Sequence, residues 1–394
     1  MMKIRYFLSI LIAVISLASC GNDEPAPAPP VGPGRTVLVY MAADNSLGSR
    51  GYDALDIDEM IAGAKNLAAR DRLLVFHSPR QGRQSLFEIT AAGRKEIMTF
   101  TDGRLAVEAT RMREVLEAVR SNAPSASYGL VLWSHGNGWL NDGIGGDGDL
   151  PQRSFGEEKG MTMNIETLAT ILGEFGGVDF IYFDCCYMGS VESAYALRHV
   201  TRRIVSSPTE LPLRGMPYDV NVPHFFAQPS ADLRAAATAT FDFYNALSGS
   251  SRTCTMSVME TAGLDALAAS CAEIYRRSPS ALPAGYEPQR FMDVLQERCY
   301  YFDLYDYIHA LCYSGAGTPR FDGADVCFNK FAEAFGNTVS YAAATPMLWN
   351  SVSLSRHHGL STFIFLRDSS SSTYRYSTLE WYNDVAVNID HKQV

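Results

Sequence analysis

Apolar and polar residues alternate along the chain in blocks that read as short buried strands separated by amphipathic helices. Thr36 to Met41 is a continuous apolar, β-branched run, as expected of a strand covered on both faces. A polar stretch, Asp44-Asn45-Ser46-Leu47, follows it, and then a helical pattern from Asp53 to Ala69. Arg72 to His77 is a second strand; Ser85 to Thr90 and Lys95 to Phe100 form a hairpin around Ala92-Gly93. A helix is predicted over 104–121, a buried strand over 129–133, a helix over 163–175 and a strand over 178–183. Ser190 opens a further helix with Glu192 in its first turn, where the helix dipole favours an acid. Arg203 to Ser207 is a strand.

Beyond about residue 220 the pattern changes. Helices are predicted over 231–247, 262–277 and 290–312, strands over 253–258 and 360–366, and a terminal helix around Trp381, while 326–344 is mixed. No internal repeat is visible. Buried strands separated by helices imply an α/β fold, a mostly parallel sheet with helices on both faces. Reactive groups in such sheets sit beyond the carboxyl ends of the strands. Two junctions therefore stand out: Ser134-His135-Gly136 after one strand and Asp184-Cys185-Cys186 after another.

Composition sharpens this. Hydrophobic residues make up 47% of the 394, enough for a large core. Charged residues are 19%, with 43 acidic against 33 basic, net −10. An acidic chain without a basic tract is not a nucleic-acid binder, because nothing neutralises phosphates. At the N-terminus, Lys3 and Arg5 precede an apolar run from Tyr6 to Ala18, too short to span a bilayer but suited to a signal peptide. It ends in Leu17-Ala18-Ser19-Cys20, which resembles a bacterial lipobox and makes Cys20 the lipidation site. The Pro-rich stretch 21–35 reads as an extended spacer. The expected organisation is a signal peptide over 1–20, the linker, a catalytic core over 36–220, and a C-terminal helical and mixed region over 221–394 that packs on the core and adds strands. The product would be an exported monomer, lipid-anchored at the periplasmic face or the cell surface. The other seven cysteines match no zinc spacing and predict no disulfide framework.

Cysteine peptidase chemistry needs a thiolate to attack the carbonyl, an imidazole to protonate the departing amine, and N–H donors for the oxyanion. His135 is followed by glycine, whose missing Cβ lets a substrate carbonyl approach the backbone. Cys186 lies ahead of a helix N-terminus, where the dipole favours a thiolate. By period two, Asp184 and Cys186 share one side of the strand end and Cys185 points away as a small buried residue. The histidine precedes the cysteine by 51 residues (186 minus 135), close to the roughly 50 of caspases.

The chain resembles the clostripain family of cysteine peptidases, relatives of caspases, legumains and gingipains. The matching residues are Tyr40-Met41-Ala42-Ala43-Asp44-Asn45, Trp133-Ser134-His135-Gly136-Asn137-Gly138-Trp139, and Phe183 to Glu192, with weaker matches at Gly359-Leu360-Ser361 and Trp381. The resemblance implies a caspase-like three-layer fold and a cysteine endopeptidase acting on polypeptides without a required cofactor. It puts the nucleophile on Cys186, its partner on His135 and the oxyanion hole on the Gly136 and Cys186 N–H groups. Asp184 would line a pocket for a basic P1 side chain. Arg214 stands where the family often has an acid, so the basic preference is expected to be weakened or altered. Self-cleavage, which the family can use for activation, would fall at Arg153 or Lys159. Asp142, Asp147 and Asp149 leave calcium open as a ligand, though their spacing fits a solvated turn better. His357 and His358 lack matching metal ligands. The competing readings are a catalytically silent surface-binding lipoprotein on the same scaffold, and a transpeptidase or ligase that excludes water from the acyl-enzyme.

Overall fold

Strand β1, Arg35–Ala43, is buried at every position, because the sheet continues on both sides of it and helices cover both its faces. The computed structural model describes residues 34–140, 155–279, 282–283, 285–293, 298–364 and 376–389. The other strands of the main sheet are β2 (Arg72–Pro79), β3 (Gln84–Thr90), β4 (Gly93–Phe100) and β5 (Ser127–Trp133). A small hairpin follows, β6 (Phe155–Glu158) and β7 (Met161–Met163). The sheet resumes with β8 (Val178–Asp184), β9 (Thr201–Ser206) and β10 (Thr255–Glu260). Strands β11 (Arg290–Asp293) and β12 (Arg298–Asp303) form a separate small sheet with β14 (Ser361–Phe363), while β13 (Val339–Ala344) returns to the large one.

The nine-stranded sheet runs β13-β10-β9-β8-β5-β1-β2-β3-β4. Its five central strands, β9 to β2, are parallel, and an antiparallel pair closes each side. One face packs on helices α2 (Ala109–Asn122), α3 (Ile165–Phe175), α4 (Val191–Leu197), α7 (Leu264–Arg277), α8 (Leu304–Cys312), α9 (Ala324–Thr338) and α10 (Glu380–Asp384). The other packs on α1 (Tyr52–Gly63), α5 (Tyr218–Phe225) and α6 (Leu233–Asn245). Alternate strand residues divide between two cores: Leu38, Tyr40 and Leu132 on the first face, Val39, Met41 and Val131 on the second. The three-layer α/β expectation therefore holds.

Three differences from the sequence reading have physical causes. The helix predicted over 290–312 is helical only from Leu304, since Phe291, Tyr301 and Phe302 pair in β11, β12 and β14 instead. Asp303 stops the strand and caps the helix, accepting from Asp306 N at 3.0 Å. The mixed stretch 326–344 resolves into α9 followed by β13. Helix α5 was not foreseen, because Pro223 inside it reads as a breaker.

Chain order places the topological switch between β1 and β5. From β1 the chain turns outward to β2, whereas β5, on the other side of β1, leads to β8. The loops leaving β1 and β5 therefore diverge, and a crevice opens beyond their carboxyl ends.

Candidate active site

Parallel register carries His135 and Cys186 to neighbouring positions. Trp133 on β5 pairs with Asp184 on β8, and each chain continues two residues to reach them. Backbone contact is close: a Cβ on Gly136 would lie 2.7 Å from Cys185 Cβ and 2.7 Å from the Cys186 carbonyl oxygen, so only glycine fits.

The imidazole is fixed from the β1 side. His135 Nε2 shares a 2.8 Å hydrogen bond with Ser46 Oγ. Ser46 is held by its neighbour Asn45, which is buried and donates through Nδ2 to Ala42 O (2.8 Å), Ser134 Oγ (3.1 Å) and Glu157 O (3.0 Å). Asn45 Oδ1 in turn accepts from Leu47 N at 2.9 Å. One side chain thus ties the ends of β1 and β5 to the β6–β7 hairpin. On the far side, Trp139 packs edge-on against Phe363 at 5.1 Å between centroids, and Tyr301 donates to Asn137 O at 2.8 Å.

The two cysteines face opposite ways, as period two requires. Cys185 is buried in the first core and its Sγ donates to Leu132 O at 3.1 Å; burial pushes its thiol well above the ordinary range. Cys186 is partly exposed and receives Leu211 N–H on its Sγ at 3.4 Å, a donor that favours the thiolate. The expected helix dipole is not the source of that help. Helix α4 starts five residues later, at Val191, and Ser190 caps it by accepting from Ser193 N.

Behind Cys186 lies a pair of buried acids. Asp184 accepts from Met216 N at 3.3 Å, and Asp56 of α1 accepts from Trp133 Nε1 at 2.6 Å. Burial raises both carboxyls far above the usual range, helped at Asp56 by the neighbouring Asp184 and at Asp184 by Glu59. Among the described residues neither acid has a cation within salt-bridge distance. Gly215 closes the loop over Asp184, with φ of 70° and a position where a Cβ would come 2.6 Å from Oδ2. Arg214 is engaged by other groups, although its charge still reaches Asp56. Its guanidinium donates to Glu59 at 2.8 Å and stacks over Phe243.

Residues 39–393 match the profile of the clostripain family. The chain belongs to that family. It is a cysteine endopeptidase. The solved structures it resembles include a secreted C11 cysteine protease from Bacteroides thetaiotaomicron in complex with an irreversible peptide inhibitor. That protein is 28% identical, with a TM-score of 0.73, over 91% of this chain and 99% of the other. Another is an inactive zymogen C11 protease from Parabacteroides distasonis, also 28% identical, with a TM-score of 0.74 over 89% and 97%. No curated protein matches the chain.

Of the residues singled out in the sequence, Cys186, His135, Gly136 and Asp184 meet at the crevice of this clostripain-family fold. Lys159 stands beside it, at the tip of the β6–β7 hairpin, with φ of 51° and its amine 3.6 Å from Asp44. Cys20, Asp142, Asp147, Asp149 and Arg153 lie outside the described residues. His358 lies elsewhere, bonded to Asp303 at 2.9 Å and stacked on Tyr305, and burial lowers His357 to about 4. Among the described residues no group of three His, Cys, Asp or Glu could hold a metal ion, and no helix is long and apolar enough to cross a membrane. Sequence reasoning missed Ser46 and Asp56. Asp56 shares the spacing of the buried positions Asp53, Ile57 and Met60, and an acid on an apolar helix face was the available signal.

Proposed function

We propose that Cys186 is the nucleophile and His135 its proton donor, in an exported enzyme that cuts polypeptides after basic residues. Cys186 Sγ attacks the scissile carbonyl, and the oxyanion forms against the Gly136 and Cys186 N–H groups. The C–N bond breaks, the amine takes its proton from the imidazolium, and a thioester remains. Water then adds with His135 as base, giving the carboxylic acid and restoring the thiol. The observation that carries this reading is the β5–β8 register, which brings the two strand ends together at the switch crevice.

The P1 preference follows from charge. Two buried carboxyls without a cation of their own form a floor that an Arg or Lys side chain would complete. Arg214 is offset by Glu59, so it weakens this preference less than its position in the sequence suggests. Fluorogenic peptides varied at P1 test both points. Turnover of Arg and Lys substrates by the soluble form, lost in Cys186→Ala, is expected; a neutral P1 cleaved as well as Arg would overturn the pocket assignment.

Export rests on the N-terminal signal and on the secreted relative. Lipidation at Cys20 would then hold the catalytic unit at a membrane on its Pro-rich tether. Self-cleavage is assigned to Arg153 and not Lys159, because a tight hairpin turn cannot present the extended backbone a peptidase needs. Intact mass should show a cut after Arg153, and a cut after Lys159 would contradict this.

A further inference from the structure

The order of groups across the sheet gives the active site a direction. Asp184 and Cys186 lie at the end of β8 under the loop that follows β9, which donates from Leu211 N to Cys186 Sγ and from Met216 N to Asp184. His135 lies on the other side of β8, bonded to Ser46 beyond β1. A leaving amine protonated by His135 therefore departs toward β1, and the peptide attached to it continues over the carboxyl ends of β1 and β2. A cleft of about 430 Å³ opens there.

The charge of that cleft runs against the rest of the molecule. Its walls carry Arg80, Arg83, Arg104 and Lys159, against only Asp44 and Glu158, in a protein of net charge −10. The acids are already engaged. Asp44 pairs with Lys159 at 3.6 Å. Glu158 is fully buried, accepts from Ala106 N at 2.7 Å, and has its carboxyl raised by burial. Arg104 is shared between Asp102 and Glu114. Arg80 and Arg83 are exposed and, among the described residues, have no carboxylate partner. Strands lie about 4.8 Å apart, so β2 and β3 stand roughly 10–15 Å from β5. That is about three or four residues of extended chain at ~3.3 Å each.

We propose that this cleft is the leaving-side subsite of the peptidase, and that Arg80 and Arg83 select acidic side chains three or four residues beyond the cut bond. The proposal rests on the assignment of Cys186 and His135 made above. Internally quenched peptides test it, all with Arg at P1 and with Asp or Lys at the third and fourth positions after it. The Asp series should be cleaved by the full chain with a kcat/KM about tenfold above the Lys series, chiefly through KM, as charge complementarity at a surface site provides. Salt should shrink the difference. The double variant Arg80→Glu, Arg83→Glu should invert the order. Equal kcat/KM for the two series in the parent protein overturns the subsite.

A second readout needs no turnover. Fluorescence anisotropy of the same peptides, labelled, on the Cys186→Ala protein should show tighter binding of the Asp series. Discrimination in binding without any cleavage by the parent would sink the catalytic assignment and leave the subsite standing. Cleavage of both series alike, with no discrimination in binding, would do the reverse.

Discussion

Adjacent cysteines with opposite surroundings give a contrast that one substitution each can read. Cys186 is partly open to the crevice and accepts an N–H donor; Cys185 is sealed in the core against Leu132. Cys186→Ala should reduce turnover by more than about a thousandfold, the usual cost of losing a nucleophile. Cys185→Ala should leave turnover within a factor of about two while costing roughly 1–2 kcal/mol for the atoms removed from the core. Steady-state rates and thermal melts on the two proteins check this, and a stable but inactive Cys185→Ala would transfer the role. The sequence could already separate the two thiols, because alternation along a strand is a local property. It could not reveal Asp56, whose meaning depends on Trp133 and Asp184, both more than seventy residues away in sequence.

At the scale of elements, the site is assembled by a few polar side chains at strand ends. Asn45 joins β1, β5 and the β6–β7 hairpin through one amide. Asn45→Ala should cost roughly 2–3 kcal/mol, since buried partners lose their donor. It should also lower kcat more than it raises KM, because Ser46 is no longer held against His135. Thermal unfolding and steady-state kinetics measure the two parts. The long buried strands and their helices were legible from apolar runs and 3.6-residue spacing, and so were the two junctions bearing His135 and Cys186. What escaped was governed by tertiary pairing. Aromatic residues around Tyr301 read as a helix face until β14, some sixty residues on, gives them a strand to pair with. The β6–β7 hairpin is too short to carry a period, and α5 hides behind Pro223.

For the molecule as a whole, buried acids set the pH range of stability. Glu192 is expected to serve the helix dipole, but in α4 it is buried and faces β14. It accepts from Phe363 N and Thr362 Oγ1 at 2.9 Å each, and burial raises it to about 7. A raised acid is stabilised in its protonated form. Its contribution is therefore complete below the ordinary value of 4.5 and is lost as pH rises through about 7. Asp56 and Asp184 shift in the same direction. The melting temperature should thus fall from mildly acidic to alkaline pH, and Glu192→Gln should flatten the fall; an unchanged slope would refute the assignment. The proposed lipid anchor makes a separate prediction for the whole chain. Cys20→Ala should move the protein from the membrane fraction to the soluble one without changing its turnover, which fractionation and peptide assays can follow.

The opposed cysteines have a consequence for the export proposed above. A thiol enzyme in an oxidising medium is at risk of being locked by a disulfide to a nearby cysteine. Here the nearest cysteine in sequence is turned through the sheet into the opposite core, with its sulfur bonded to Leu132. A disulfide to Cys185 is therefore closed off, while a small oxidant or a foreign thiol can still reach Cys186 through the crevice. Such an adduct is open to the same solvent, so any external reductant that reaches it can return the enzyme to work.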